Sequence, residues 1–307
     1  MTTARTWLES LFGGWVQPWP FALLRVGLAA LVLLRTTVVD WLPMDHHAWV
    51  GGLEYHPATD AAEAPTLHSP LWPFLPPLGP GLTAGLVWAR TGLAALLLVG
   101  IRPRVVAALL ALVGYGLMAA DRTRYLHHLH LLWLSVGLLA LTPCGERLAP
   151  FRRVPFLGSG EPLAEWVPRW SLQVLRFHLL VVYTAAGVAK LDPRWLSGET
   201  LLELHRAELL TGPLVASVIE SLGAATLAIA IAATELALPL LLVFRRSRWI
   251  GIAIGVLFHL SVETSIMVST FGATMILLLL VFSPGWVKVP PMSDDTDIDS
   301  EPAARAD

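Results

Sequence analysis

The chain has 307 residues, of which 55% are hydrophobic and only 14% charged, and its mean hydropathy is +0.63. A soluble domain carries about 25% charged residues, so a water-soluble protein is excluded. The net charge of −2 and the lack of a basic block argue against a nucleic-acid partner, and the single cysteine, Cys144, excludes an internal disulfide.

Residues 1–20 hold Trp7, Glu9, Trp15, Gln17 and two prolines. They lack the unbroken apolar run of a cleavable signal and read as an interfacial segment. Eight apolar segments follow, at 21–42, 82–100, 103–120, 125–143, 171–190, 223–244, 249–267 and 268–287. Each is long enough to cross a hydrocarbon layer as a helix. The expected fold is therefore all-α and integral to the membrane, a bundle of about eight transmembrane helices over 21–287. An acidic, disordered tail is expected over 288–307. Cys144 falls at a loop edge and reads as an inert thiol.

Loop charge sets the expected orientation. With the N-terminus cytoplasmic, the inner loops hold eleven Lys and Arg residues, from Arg5 to Lys288. The outer loops hold four, Arg122, Arg124, Arg194 and Arg206, and the loop 43–80 has none. Both termini are thus predicted inside, in a bacterial plasma membrane. The same topology sends the polar residues of four helices toward the outer half of the bilayer.

Ionisable residues at membrane depth point to function. Of 21 basic residues only Lys190 and Lys288 are lysine. Arginine does not release its proton at useful pH, whereas a desolvated lysine can, so Lys190 is a candidate general base. The competing reading is a lysine that snorkels to the interface. His127, His128 and His130 open the fourth segment. Adjacent helical positions point about 100° apart, so at most two share a face. A proton relay, a polar substrate contact, a metal ligand and an interfacial polar turn all remain open there. No i,i+4 histidine pair supports a metal, and no metal site is predicted. His259 and Glu263 are i,i+4 partners in which the carboxylate could fix the imidazole tautomer, or merely hold the bundle. Glu235 reads as a helix contact or as a partner for Arg25, Arg35 or Arg90. Asp45, His46, His47, Glu54, His56 and His68, in the long external loop, read as a cap over the site or as solvated residues.

The block YTAAGVAKLDPRWLSGETL (183–201) resembles the signature of the vitamin K-dependent gamma-carboxylase family and its bacterial relatives, the HTTM membrane domain. Tyr183, Ala186, Gly187, Lys190, Leu191, Asp192, Trp195 and Gly198 fit that pattern. YLHHLHLL (125–132) is similar to the family's Asn-His block, with His128 at the histidine, and FHLSVETSIMVSTFGATM (258–275) to its Phe-His hairpin, with His259 at the histidine. The resemblance implies Lys190 as the base that deprotonates a reduced quinone, menaquinol or a vitamin K hydroquinone-like molecule. Dioxygen and carbon dioxide are the implied co-substrates. His128 becomes its polar partner, and His259 shapes the pocket or relays protons. His127, Trp195, Glu235 and Glu263 are expected to contact the quinone.

Two departures shape the expectation. His127 stands where the family has asparagine. The animal enzymes also carry a large extramembrane region that grips a protein substrate, whereas a short acidic tail follows the predicted domain here. The expectation is thus a quinol-dependent oxidoreductase or carboxylase-like lyase, centred on the quinol step. The alternatives are a non-catalytic quinone- or lipid-binding membrane protein, an assembly partner of another enzyme, and a haem carrier with His128 and His259 as axial ligands. Beyond lipid and quinone, no partner is named.

Overall fold

The computed structural model describes residues 12–37, 80–120, 127–158, 160–207, 209–210, 212–265 and 270–283. Most of the predicted interfacial segment, the external loop with Asp45, His46, His47, Glu54, His56 and His68, the side chain of His127 and the acidic tail lie outside the described residues.

Eleven helices and one small strand pair make up this part of the chain. Strand β1 (Trp15–Val16) precedes α1 (Trp19–Arg35), α2 (Pro80–Val99), α3 (Pro103–Ala120) and α4 (His127–Leu139). Strand β2 (Val167–Pro168) pairs antiparallel with β1. Then come α5 (Trp170–Ala189), α6 (Pro193–Leu196), α7 (Glu199–Arg206), α8 (Pro213–Leu222), α9 (Ala224–Val243), α10 (Arg248–Ser265) and α11 (Phe271–Leu279), with a 3-10 turn at Leu280–Phe282.

Each of the eight predicted segments contains a helix. Three helices are long and apolar enough to cross a membrane: Gly81–Val99, Trp170–Ala189 and Ala224–Val243. The protein is thus a helical membrane protein, with three spans qualifying by length and composition among the described residues. Helices α4 and α11, with 13 and 9 residues, are about 20 and 14 Å long, short of the ~30 Å hydrocarbon core. The region 190–223, between two predicted segments, folds into α6, α7 and α8. Helices of 4, 8 and 10 residues contain no long apolar run to betray them.

Local chemistry sets several boundaries. Helix α1 starts with Pro20 in its first turn, where a missing N–H costs nothing, and buries Phe21, Leu24, Leu28 and Val32 at helical spacing. Helix α2 ends at Gly100, whose φ of +80° suits glycine. A Cβ there would also run into the Arg25 guanidinium. Leu24, Leu97, Leu110, Leu132, Leu172 and Leu175 are fully buried in one cluster spanning α1 to α5. In lipid such contacts hold helices together by packing density rather than by escape from water.

A compact plate over residues 140–169 closes the arginine-rich end of the bundle. Arg152 pairs with Glu146 at 2.8 Å and donates to the carbonyls of Gly145, Glu161 and Pro162. Glu146 also accepts from the Ala164 amide, and Arg104 donates to the Ala140 carbonyl. Cys144 is fully buried in this plate, and burial pushes its thiol up to about 11.

Candidate functional site

Lys190 closes α5 as its C-cap residue, and the chain turns at once into α6. Asp192 starts that helix by accepting from the Arg194 amide at 2.9 Å, with Pro193 in the first turn. This short turn fixes Trp195 beside Lys190. The Trp195 indole N–H donates to the Ala228 carbonyl of α9 at 3.1 Å. Gly198 follows with φ +80°, pressed against the backbone of Ala224 and Ala225. A side chain at 198 would hold the cap away from α9. Leu201 and Leu210 then pack with Ala228 in a small separate core under α6–α8.

Between this cap and helices α5, α9 and α10 lies a cavity of about 490 Å³. Its polar lining comes from Lys190, Glu235, His128, Thr234, Ser261 and Ser265. Trp195, Phe258, Phe271, Leu227 and Ile231 supply apolar wall. Lys190 Nζ lies 2.7 Å from Glu235 Oε2, and 5.1 Å from the centroid of the Trp195 ring. The two charged side chains are 21% and 10% exposed, so the pair is mostly withdrawn from solvent. Glu235 therefore meets the lysine rather than the arginines. Of those, Arg25 donates to the Leu148 carbonyl.

This meeting depends on a close helix approach. Tyr183, Gly187 and Lys190 share one face of α5. An added Cβ at Gly187 would lie 2.8 Å from the Leu236 side chain and 3.1 Å from its amide nitrogen. Glycine at 187 lets α9 come near enough for Glu235 to reach the amine. Ala224 and Ala228, on α9, meet the cap instead, against Gly198 and against Leu201 and Leu210.

His259 and Glu263 do not line the cavity. His259 is 1% exposed and lies behind the wall. Its Nε2 is 2.8 Å from the Tyr183 hydroxyl, and Phe258 and Phe271 meet its ring edge-on. Among the described residues its Nδ1 finds no hydrogen-bond partner. Glu263 faces the next connection, where it accepts from the amides of Thr270 at 3.0 Å and Gly272 at 2.7 Å. It caps the start of α11, where free N–H groups welcome an anion.

The sequence reading passed over Thr234, Ser261 and Ser265. A periodic signal was present on α10: Phe258, Ser261, Val262 and Ser265 recur at three- and four-residue spacing and all line the cavity. His259, next to Phe258, is turned about 100° away, toward α5 and α11. Two other histidines of the bundle sit elsewhere: His130 with the Tyr115 hydroxyl at 2.9 Å, and His178 with Ser135 at 3.3 Å.

Apolar helices around a cavity whose polar groups include a paired amine and carboxylate define a helical membrane protein with a partly open, mainly apolar cavity. The HTTM domain family matches residues 20–286, and the chain belongs to that family. This is the membrane domain that the Lys190 block resembled. No solved structure matches the chain.

Proposed function

We propose that this protein holds a reduced quinone, menaquinol or a vitamin K hydroquinone-like molecule, in the cavity beneath α6–α8 and removes a proton from it with Lys190. The observation that carries this reading is the Lys190 amine, held in a mainly apolar chamber against Glu235 and Trp195. The residues suit such a ligand. The volume of about 490 Å³ falls in the ~300–1,000 Å³ range of small-molecule sites. Trp195, Phe258 and Phe271 offer aromatic surface to a flat ring, and Lys190, Glu235 and His128 offer partners for its hydroxyls.

Bound there, a quinol supplies the acidic hydroxyl and the reducing electrons, with dioxygen and carbon dioxide as co-substrates. Lys190 acts as the base once its amine is neutral. Glu235 balances the ammonium formed when the amine takes up a proton, and the surrounding wall keeps water from competing. His128 is the polar partner across the chamber, with His127 beside it in sequence. His259 and Glu263 act from behind the wall, the first on Tyr183 and the second on the α10–α11 connection. In this reading the bundle has about eight spans in a bacterial plasma membrane, both termini are cytoplasmic and the chamber lies toward the outer leaflet. The chemistry is that of a quinol-dependent oxidoreductase or carboxylase-like lyase.

Lys190→Ala and Lys190→Arg are both expected to abolish quinol turnover in membranes without loss of protein. Full activity in Lys190→Arg rules out general-base catalysis by this residue. A second reading, a non-catalytic quinone- or lipid-binding protein or an assembly partner, is favoured by one observation: the 2.7 Å ion pair already answers both charges. Purified protein that retains a quinone yet consumes no oxygen supports that second reading. Mass spectrometry of small molecules co-purifying with wild-type and Lys190→Ala protein identifies the occupant.

A further inference from the structure

The plate over 140–169 carries a side chain that its own packing does not use. Phe156 is 88% exposed, more than any other large apolar residue among the described ones. Its φ is +66°, in the left-handed region that bulky side chains rarely adopt. Phe151, Val154 and Leu157, close by in sequence, are exposed as well. An exposed apolar patch of this kind marks a surface that meets something other than water.

The backbone beneath the patch is firmly held. The amides of Leu157 and Gly158 donate to the Val154 carbonyl at 3.2 and 3.0 Å, which closes a turn. The Arg102 amide donates to the Leu157 carbonyl at 3.0 Å, and Arg102 Nε to the Phe156 carbonyl at 3.0 Å. Behind the turn, Arg152 is fixed by Glu146 and three carbonyls, and its own carbonyl accepts from the Gly160 amide at 3.0 Å. A rare backbone conformation persists where its surroundings impose it, and it points to a use for the side chain so presented.

The same bonds set the depth of the turn. Arg102 stands between α2, which ends at Val99, and α3, which starts at Pro103. Helix α2 is long and apolar enough to cross a membrane. A turn tied to the end of such a span lies where hydrocarbon gives way to headgroups. Next to that turn, Leu96 and Val99 of α2 and Val105 and Leu109 of α3 are apolar and exposed, so the patch continues a lipid-facing surface. The charges suit the same level. Arg102, Arg104 and Arg153 are exposed cations, while the exposed carboxylates of the plate, Glu161 and Glu165, come later in the chain. Basic residues beside a span favour anionic headgroups.

We propose that residues 151–157 form an anchor in the bilayer surface at the arginine-rich end, with Phe156 among the acyl chains and Arg102 and Arg153 at the phosphates. The partner is the lipid leaflet itself. The anchor is independent of the quinol chemistry, because none of its residues lines the cavity.

The test uses the full chain in nanodiscs of phosphatidylglycerol and phosphatidylcholine. Cys144 is buried, so a thiol-directed spin label goes to an introduced cysteine. Phe156→Cys, Val154→Cys and Glu161→Cys are labelled separately, and the accessibility of each label to dioxygen and to a water-soluble nickel chelate is measured. The ratio of dioxygen to chelate accessibility is expected to be higher at 156 and 154 than at 161. Should Phe156→Cys fold poorly, Val154→Cys carries the test. A ratio at 156 or 154 no higher than at 161 puts the turn in water and overturns the proposal. A label shielded from both reagents assigns the patch to a protein contact, and spin–spin broadening between labels assigns it to a second copy of the chain. Either result also overturns the proposal.

Discussion

At one end of α5, Lys190 meets Glu235 at 2.7 Å and leans on Trp195. Toward the other end, about 21 Å back along the same helix, Arg176 is buried and donates to the Val281 carbonyl and to Gln173. The first end neutralises itself within the chain. The second leaves N–H groups unmet. Location alone does not explain the contrast, because Arg152 stands in the same arginine-rich end and is bound by Glu146 and three carbonyls. What differs is the kind of acceptor the fold itself supplies. At Lys190 the chain supplies a counter-charge, whereas at Arg176 it supplies only neutral acceptors.

The strongest way to break this comparison is to remove half of the pair. Glu235→Ala leaves the Lys190 ammonium without its counter-charge and is expected to cost about 2–4 kcal/mol, the lower part of the range for a buried pair because Lys190 is partly exposed. Denaturant unfolding in detergent measures it. Lys190→Met with Glu235→Leu should recover most of the loss. An unchanged single variant would mean that the cavity end does not depend on its pairing.

Next in size is Gly198→Ala, which forces a side chain into φ +80° and to within 2.5 Å of the Ala224 backbone. The expected loss is about 2 kcal/mol, together with poorer closure of α6–α8, read as faster hydrogen exchange over 193–206. Tyr183→Phe is smaller. It leaves the buried His259 ring with no partner on either nitrogen and should lower stability by about 1–2 kcal/mol. Arg194→Ala removes exposed bonds to Glu199 and Glu203 and should leave the melting temperature unchanged. Cys144, its thiol held near 11 by burial, should resist maleimide at pH 8 until the protein is unfolded.

Much of the cavity end was legible in the sequence, and the reason is chemical. Lys190 and Glu235 are costly at membrane depth, so their presence in apolar segments was itself a signal. His128 and Trp195 came with the block resemblances, and all four line one cavity. Glu263 was different. Its i,i+4 spacing to His259 is real, but the carboxylate turns to the amides of Thr270 and Gly272, a choice set by the path of the following connection. Thr234 and Ser261 escaped notice because a hydroxyl inside a helix bonds its own preceding turn, as both do here, and leaves no mark on the apolar pattern. Arg169 and Arg248 entered the reading only as loop charges that set orientation, and Arg176, inside the fifth apolar segment, did not enter it. Charge counts record where arginines gather and not whether each finds an acceptor.

Gly187 acts as a spacer between α5 and α9. The reach from amine to carboxylate is governed three residues away from the lysine, by a position that has nothing but hydrogen to offer. A methyl group there meets the Leu236 amide nitrogen at 3.1 Å, so the facing helix must give by a few tenths of an ångström. The approach of the amine to the carboxylate is thus set by the thickness of the backbone at another position, and a change too small to alter the architecture can part the pair.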